Sequence, residues 1–197
     1  MKKIKYLLTI TALVITINVQ GQEFYTNLTY DMSVPLGNTS DFVSKTSFRG
    51  ASFEIGRFLS DDVALDLRFS WHVFYEEMPT DTYTVGTESI TGKQFRYINS
   101  FPITVGAKYF FGGGLNFMPY IGAGLGTYKQ NVRTDMGIYT LEEKKWHFGF
   151  YPELGFLYDI SYGLGLNVFA RYDYTLKAGD ADSQSYLSFG VGFHFNN

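Results

Sequence analysis

Seven charged side chains stand on matching positions of alternating segments: Glu54, Asp66, Glu153 and Asp173 with Arg68, Lys108 and Arg171. Tyr151 and Asn167 share their parity. Successive side chains of a β-strand point to opposite faces, so residues of one parity share a surface. Four acids against three bases nearly balance. Charges brought together in a low-dielectric interior are costly unless paired and hydrogen-bonded. The set therefore predicts a structural network of ion pairs filling an enclosed space. The alternative use of the same groups is a gated proton or ion path.

Other residue types speak against catalysis and metal binding. Ser70 and His72 lie two apart near the end of one segment, and His147 has the same parity. Residues two apart on a strand project in parallel, and no orienting carboxylate or oxyanion donor can be named beside them. Three His and no Cys exclude thiolate zinc sites, iron–sulfur clusters and a cysteine nucleophile, and they make a poor metal site. His194 reads as a satisfied interior residue. No enzyme activity and no cofactor are expected. A net charge of −3 gives no basic footprint for nucleic acid, so none is expected as a partner.

The elements that position these groups are strands. Aromatics make up 19% of the chain and charged residues only 18%, an odd balance for a soluble domain, where about 25% are charged. At the N-terminus, Lys2, Lys3 and Lys5 precede the apolar run Leu7 to Ile17, followed by Asn18-Val19-Gln20-Gly21. That run is too short to span a bilayer, and its flanks fit a secretory signal peptide. Residues 1–21 are expected to be removed, leaving 13 basic and 19 acidic residues, or −6. Residues 22–197 would then form one domain.

Within that domain the hydrophobic period is 2 almost throughout, and no segment reads as a helix. The clearest run sets Val63, Leu65, Leu67, Phe69, Trp71, Val73 and Tyr75 against Ala64, Asp66, Arg68, Ser70 and His72. Similar runs begin near residues 24, 48, 94, 117, 145, 163 and 185, which makes eight strands. Short connections at 60–62, 112–116 and 161–163 alternate with long polar ones at 35–46, 77–93, 131–144 and 176–184. Short turns at one end and long loops at the other predict an eight-stranded antiparallel up-and-down transmembrane β-barrel, with periplasmic turns and extracellular loops. Both termini would lie on the inner side.

Alternation alone does not say which face points outward. A soluble lipocalin-like exported barrel would hide the apolar face around a ligand. Here the polar face is mostly Gly, Ser, Asn and Thr, as at Gly122, Gly124 and Gly126, and small residues suit the crowded inside of a narrow barrel. Aromatics gather at the strand ends: Tyr109, Phe111, Phe117, Tyr158 and Phe195 at the turn end, and Trp71, Tyr75, Trp146, Phe148, Tyr172 and Tyr174 toward the loops. Two such rings fit girdles at the two membrane interfaces.

Three stretches carry a family resemblance: Pro119-Tyr120-Ile121-Gly122-Ala123-Gly124-Leu125-Gly126, Pro152-Glu153-Leu154-Gly155-Phe156, and Leu187 to Phe195. With them, residues 22–197 resemble the small OmpA/OmpX-type eight-stranded outer-membrane β-barrel proteins. The resemblance implies a bacterial outer-membrane location, outer-membrane lipid around the barrel, and the barrel-assembly machinery as a partner during biogenesis. Such barrels often end on an aromatic residue that this machinery reads. Here Asn196 and Asn197 follow, so recognition is expected through Phe193 or Phe195.

Expected function follows from a filled lumen, since eight strands enclose little more than their own side chains. A monomer acting as a structural or surface-interaction protein is expected, binding an extracellular or cell-surface ligand through its loops. A narrow ion-conducting pore is the alternative. The longest connection, 77–93, is rich in β-formers around Gly86-Thr87, which reads as a hairpin tip. Thr82, Tyr83, Thr84, Val85, Glu88 and Ile90 are therefore expected in a protruding ribbon that binds by strand addition. OmpX-like barrels carry such a surface-exposed sheet, and the resemblance implies the same use.

Overall fold

The computed structural model describes residues 24–85, 88–112 and 116–196. The expected signal segment and the Gly86-Thr87 tip lie outside them. Eight strands follow in order: β1 (Phe24–Leu36), β2 (Ser47–Phe58), β3 (Val63–Val85), β4 (Glu88–Phe110), β5 (Phe117–Met136), β6 (Tyr139–Ser161), β7 (Leu164–Thr175) and β8 (Ser185–Asn196). Each pairs antiparallel with the next, and β8 closes on β1. The result is the up-and-down barrel that the alternation predicts.

The apolar face points outward. On β3, Leu65, Leu67, Phe69 and Trp71 are exposed, whereas Ala64, Asp66, Arg68, Ser70 and His72 are buried. The register aligns these faces into belts. Ile55, Leu67, Val105, Leu125 and Phe150 stand side by side around half the barrel. Two residues higher the belt is Phe53, Phe69, Ile103, Thr127 and Phe148. Above it Trp71 stacks on Phe101 with ring centroids 5.8 Å apart, and Phe101 neighbours Lys129, which neighbours Trp146. A soluble lipocalin-like barrel requires the reverse arrangement, with its apolar face around the cavity, so that alternative falls.

Inside, two apolar clusters bracket a polar middle. Tyr25, Ala64, Phe110, Tyr120, Leu157 and Phe169 fill the periplasmic end, while Val43, Phe74, Ile98 and Tyr186 fill the extracellular mouth. Burying so many rings in a narrow lumen requires glycine opposite them. A Cβ on Gly56 would lie 2.0 Å from the Tyr25 ring, and one on Gly124 would lie 2.6 Å from the Tyr151 ring.

Two expectations are corrected. Residues 131–144 are not a loop. β5 and β6 continue through them as paired strands and turn at Gly137, whose φ is +58°. Outside the membrane both faces of a strand can be polar, so the segment lacks the alternation that marks a half-buried strand. The connection 35–46 also contains a short helix, α1 (Asn38–Phe42), although no segment reads as helical. At five residues it is too short for a 3.6-residue period to register, and tertiary contacts hold it.

Candidate functional site

The charged lumen set converges on Arg68. Glu54 and Arg68 are register partners on β2 and β3, as are Glu153 and Arg171 on β6 and β7. Arg68 Nε donates to Glu54 Oε2 at 2.8 Å. Its Nη1 reaches across the lumen to Glu153 Oε2 at 2.5 Å, and Nη2 reaches Glu153 Oε1 at 3.0 Å. Lys108 Nζ donates to Glu54 Oε1 and lies 3.6 Å from Glu153 Oε1. Remaining lone pairs are taken by Asn27 Nδ2 on Glu54 at 2.8 Å and Tyr120 Oη on Glu153 at 3.0 Å. All four members of this core are buried.

A second tier lies nearer the mouth. Arg171 Nε donates to Asp173 Oδ2 at 2.9 Å, and Tyr128 Oη donates to Asp173 Oδ1 at 2.9 Å. Arg171 Nη1 stands 3.7 Å from Glu153 Oε2, which links the tiers. Both guanidinium groups lie over the Tyr151 and Phe169 rings, 5.1 to 5.4 Å from the centroids. Asn167 Oδ1 lies 3.2 Å from Tyr120 Oη, beside the shorter bond that hydroxyl gives to Glu153. The network is electrostatically dense and sterically full.

Asp66 is the exception. It forms no ion pair within 4.0 Å among the described residues, and its one contact is a 3.4 Å hydrogen bond from Tyr151 Oη. Conversely, Asp31 is a fifth inward acid that the charge set omits. It is buried and accepts from Thr29 Oγ1 at 2.8 Å and from Ser52 Oγ. Its parity with Asn27 and Thr29 is the signal that could have found it.

Ser70 and His72 are not brought together. Ser70 Oγ lies 2.8 Å from Ser52 Oγ, to which it donates, since the Ser52 proton goes to Asp31. His72 Nδ1 meets Ser33 Oγ at 3.0 Å, and its Nε2 lies 3.4 Å from Arg171 Nη2. His147 Nδ1 sits 2.8 Å from the Leu176 carbonyl, and His194 Nδ1 sits 2.7 Å from Asn27 Oδ1. Each imidazole serves a local hydrogen bond, and among the described residues no group of His, Asp and Glu is arranged to hold a metal.

Above the membrane β3 to β6 form a wall. The β3–β4 ladder reaches Val85↔Glu88 with one register shift between Met78 and Asp81. The β2–β3 ladder stops at Gly50↔His72, β4–β5 at Gln94↔Met136, and β6–β7 at Gly149↔Thr175. The wall thus has two strand edges without a ladder partner among the described residues, β3 beyond Val73, whose carbonyl accepts from Ser47 Oγ, and β6 before Phe148, whose carbonyl accepts from the Leu176 N–H. Its highest part is the β3–β4 hairpin alone. There Tyr83 pairs with Ile90 and Thr84 with Ser89; Thr82 pairs with Thr91, their hydroxyls 2.8 Å apart. Lower down, Lys93 Nζ donates to Glu77 Oε1, and this bond holds the Glu77 carboxyl below the usual glutamate range.

The mouth is capped by the β1–β2 connection. Val43 is buried against Phe74, Ile98 and Tyr186. Ser44 N donates to Glu76 Oε2 at 2.6 Å, and Thr39 Oγ1 donates to Gln184 Oε1 at 2.8 Å. α1 is thereby tied both to the wall and to the β7–β8 connection.

Comparison with known proteins agrees with this geometry. Residues 9–195 match the model of the outer membrane protein beta-barrel domain. No curated protein matches the sequence significantly. Among solved structures the chain is similar to Neisserial surface protein A, with 16% identity, 89% of this chain and 97% of that chain covered, and a TM-score of 0.59. It is similar to OprG of Pseudomonas aeruginosa, with 15% identity, coverage of 90% and 97%, and a TM-score of 0.59. It is also similar to Ail, the attachment invasion locus protein of Yersinia pestis, at 13% identity, coverage of 90% and 100%, and a TM-score of 0.51. With its match over nearly the whole length, this chain belongs to the outer membrane protein beta-barrel domain family and is an integral protein of the bacterial outer membrane.

Proposed function

We propose that this protein is a surface-interaction protein: a closed barrel that anchors a raised extracellular wall and binds a partner along the edges of that wall. The observation that carries the reading is the mismatch of ladder lengths. The β3–β4 hairpin runs to Val85↔Glu88, whereas the ladders on either side end at Gly50↔His72 and Gln94↔Met136. Unpaired strand edges offer a row of N–H and C=O groups, which a partner strand can complete. Thr82, Tyr83, Thr84, Val85, Glu88 and Ile90 form the candidate surface. The ion network around Arg68 supports the same reading, because it occupies the lumen that a pore would need open. In biogenesis, a signal peptide over residues 1–21 and recognition of Phe193 or Phe195 by the assembly machinery belong to this proposal.

Deleting residues 80–92 tests it. Cells or purified ligands bound by the intact protein should no longer bind, while the barrel still folds and migrates differently before and after boiling. Binding that survives the deletion in a folded barrel overturns the assignment to this ribbon.

A further inference from the structure

Between the inner face of the wall and the connections folded over the mouth lies a cleft of about 280 Å³. This is near the small end of ligand sites, which run from roughly 300 to 1,000 Å³. Gln130 and His147 line it from β5 and β6, and both are buried, at 1% and 3% exposure. Gln130 Nε2 donates to Ser100 Oγ at 3.0 Å, and Ser100 Oγ lies 3.1 Å from the Tyr186 hydroxyl. Gln130 Oε1 is buried and has no hydrogen-bond partner among the described residues. A buried acceptor left unmade is unfavourable, so this oxygen calls for a donor. His147 Nδ1 faces a carbonyl, which can only accept, so Nδ1 carries a proton, and in the tautomer that has its single proton there Nε2 is an acceptor.

The remaining lining sets the character of the occupant. Phe42 and Val132 are apolar, and Glu143, Asp180 and Asp182 add three carboxylates against the single Lys145. Glu143 pairs with Lys145 at 3.7 Å and Asp182 with Lys177 at 2.8 Å, both near solvent, where such pairs hold little and exchange readily. Asp180 has no ion pair among the described residues. β7 leaves β6 at Gly149, and the Leu176 N–H on the Phe148 carbonyl, at 2.8 Å, closes only the bottom of the gap.

We propose that this cleft binds a small donor-rich organic cation, an alkylguanidinium or alkylammonium group. Its N–H groups bond Gln130 Oε1 and His147 Nε2, its alkyl stem lies against Phe42 and Val132, and its charge faces the carboxylates. The chemistry can come from a free small molecule or from an Arg or Lys side chain of a peptide. The cleft lies on the inner face of the wall and uses no residue of the 80–92 ribbon. Loss of ribbon binding on deletion of 80–92 therefore leaves this site testable.

The test is NMR titration of the folded barrel in detergent micelles, following the Gln130 side-chain amide and the His147 ring. Butylguanidinium and butylammonium should give saturable shifts at both residues, while pentanoate and pentanol should give none. Gln130→Met, which keeps the volume, should weaken butylguanidinium about tenfold, the loss of one charge-assisted hydrogen bond. Asp180→Asn with Asp182→Asn should weaken it further in a barrel whose backbone spectrum is unchanged. An N-acetyl arginine amide arm separates the sources: binding there extends the site to peptide side chains, and binding of butylguanidinium alone restricts it to free small cations. The proposal is overturned if no cation gives saturable shifts, if pentanoate or pentanol shifts the same residues equally, or if Gln130→Met binds with unchanged affinity.

Discussion

Arg68 and Glu153, 85 residues apart in the chain, meet across the barrel lumen, one guanidinium giving two hydrogen bonds to one carboxylate. The same guanidinium also holds Glu54. Arg68→Met should therefore leave two buried carboxylates with only Lys108, Asn27, Tyr120 and the more distant Arg171 around them. Removing one partner of a buried pair costs about 3–5 kcal/mol, so urea unfolding of the refolded barrel should shift by that order. Glu153→Gln, which keeps a hydrogen-bond acceptor, should cost less. Planar-bilayer recordings of the wild type should show no steady conductance. A steady conductance that vanishes on changing Arg68 or Glu54 would reassign the network to permeation.

Leu67 stands in the belt with Ile55, Val105, Leu125 and Phe150, facing outward. Leu67→Arg should cost roughly 2–4 kcal/mol, the depth-dependent penalty for a cation near the bilayer midplane. Leu141 is also exposed but sits in the wall above the membrane. Leu141→Arg should be close to neutral. Equal penalties at the two positions would show that the membrane band is misplaced.

The barrel itself was legible because lipid enforces a strict alternation: each of Leu65, Leu67 and Phe69 must face hydrocarbon while Asp66 and Arg68 turn inward. The β3–β4 ribbon was also legible, since Thr82, Tyr83, Thr84 and Val85 are β-formers. The matching extension of β5 and β6 was not. Arg133, Thr134, Asp135, Glu142, Glu143 and Lys144 are wet on both faces, and nothing in their pattern separates a paired strand from a loop. Ion-pair partners were illegible for a different reason. Parity places Arg68 and Glu153 inside, but only the registers of the intervening strands β4 and β5 and the barrel's closure decide that they touch, and the same register leaves Asp66 out. The mouth cleft draws on β4, β5, β6, α1 and the β7–β8 connection, so no local motif announces it.

Acidification should loosen the base of the ribbon. The hydrogen bond from Lys93 holds the Glu77 carboxyl below its usual range, and the same bond raises the Lys93 ammonium. A depressed folded pKa stabilises above the unfolded value, about 4.3 for Glu, and that support is lost as pH falls through the lowered value. The raised Lys93 contributes below its unfolded value, about 10.4, and is lost as pH rises through the higher one. Between these limits the pair stays made. NMR shifts of Glu77 and Lys93 should be flat from about pH 5 to 10 and move together outside that window. Glu77→Gln should abolish the acid limb, and a Glu77 titration at the ordinary value would show the pair is not formed.

Backbone exchange gives the sharpest test of the wall. β6 is paired to β5 along Tyr139 to Phe148 but meets β7 only from Gly149 onward. In an antiparallel edge strand, N–H groups alternate between those bonded to the neighbour and those facing outward. Amide exchange across 139–148 should therefore alternate, with protected sites directed at β5 and rapid sites on the free edge. Residues 153–158, paired on both sides, should be protected without alternation. Uniform fast exchange over 131–144 would restore the loop that the polar composition suggests. Uniform protection over 139–148 would mean that another segment already covers this edge, leaving only the β3 edge and the β3–β4 hairpin for a partner strand.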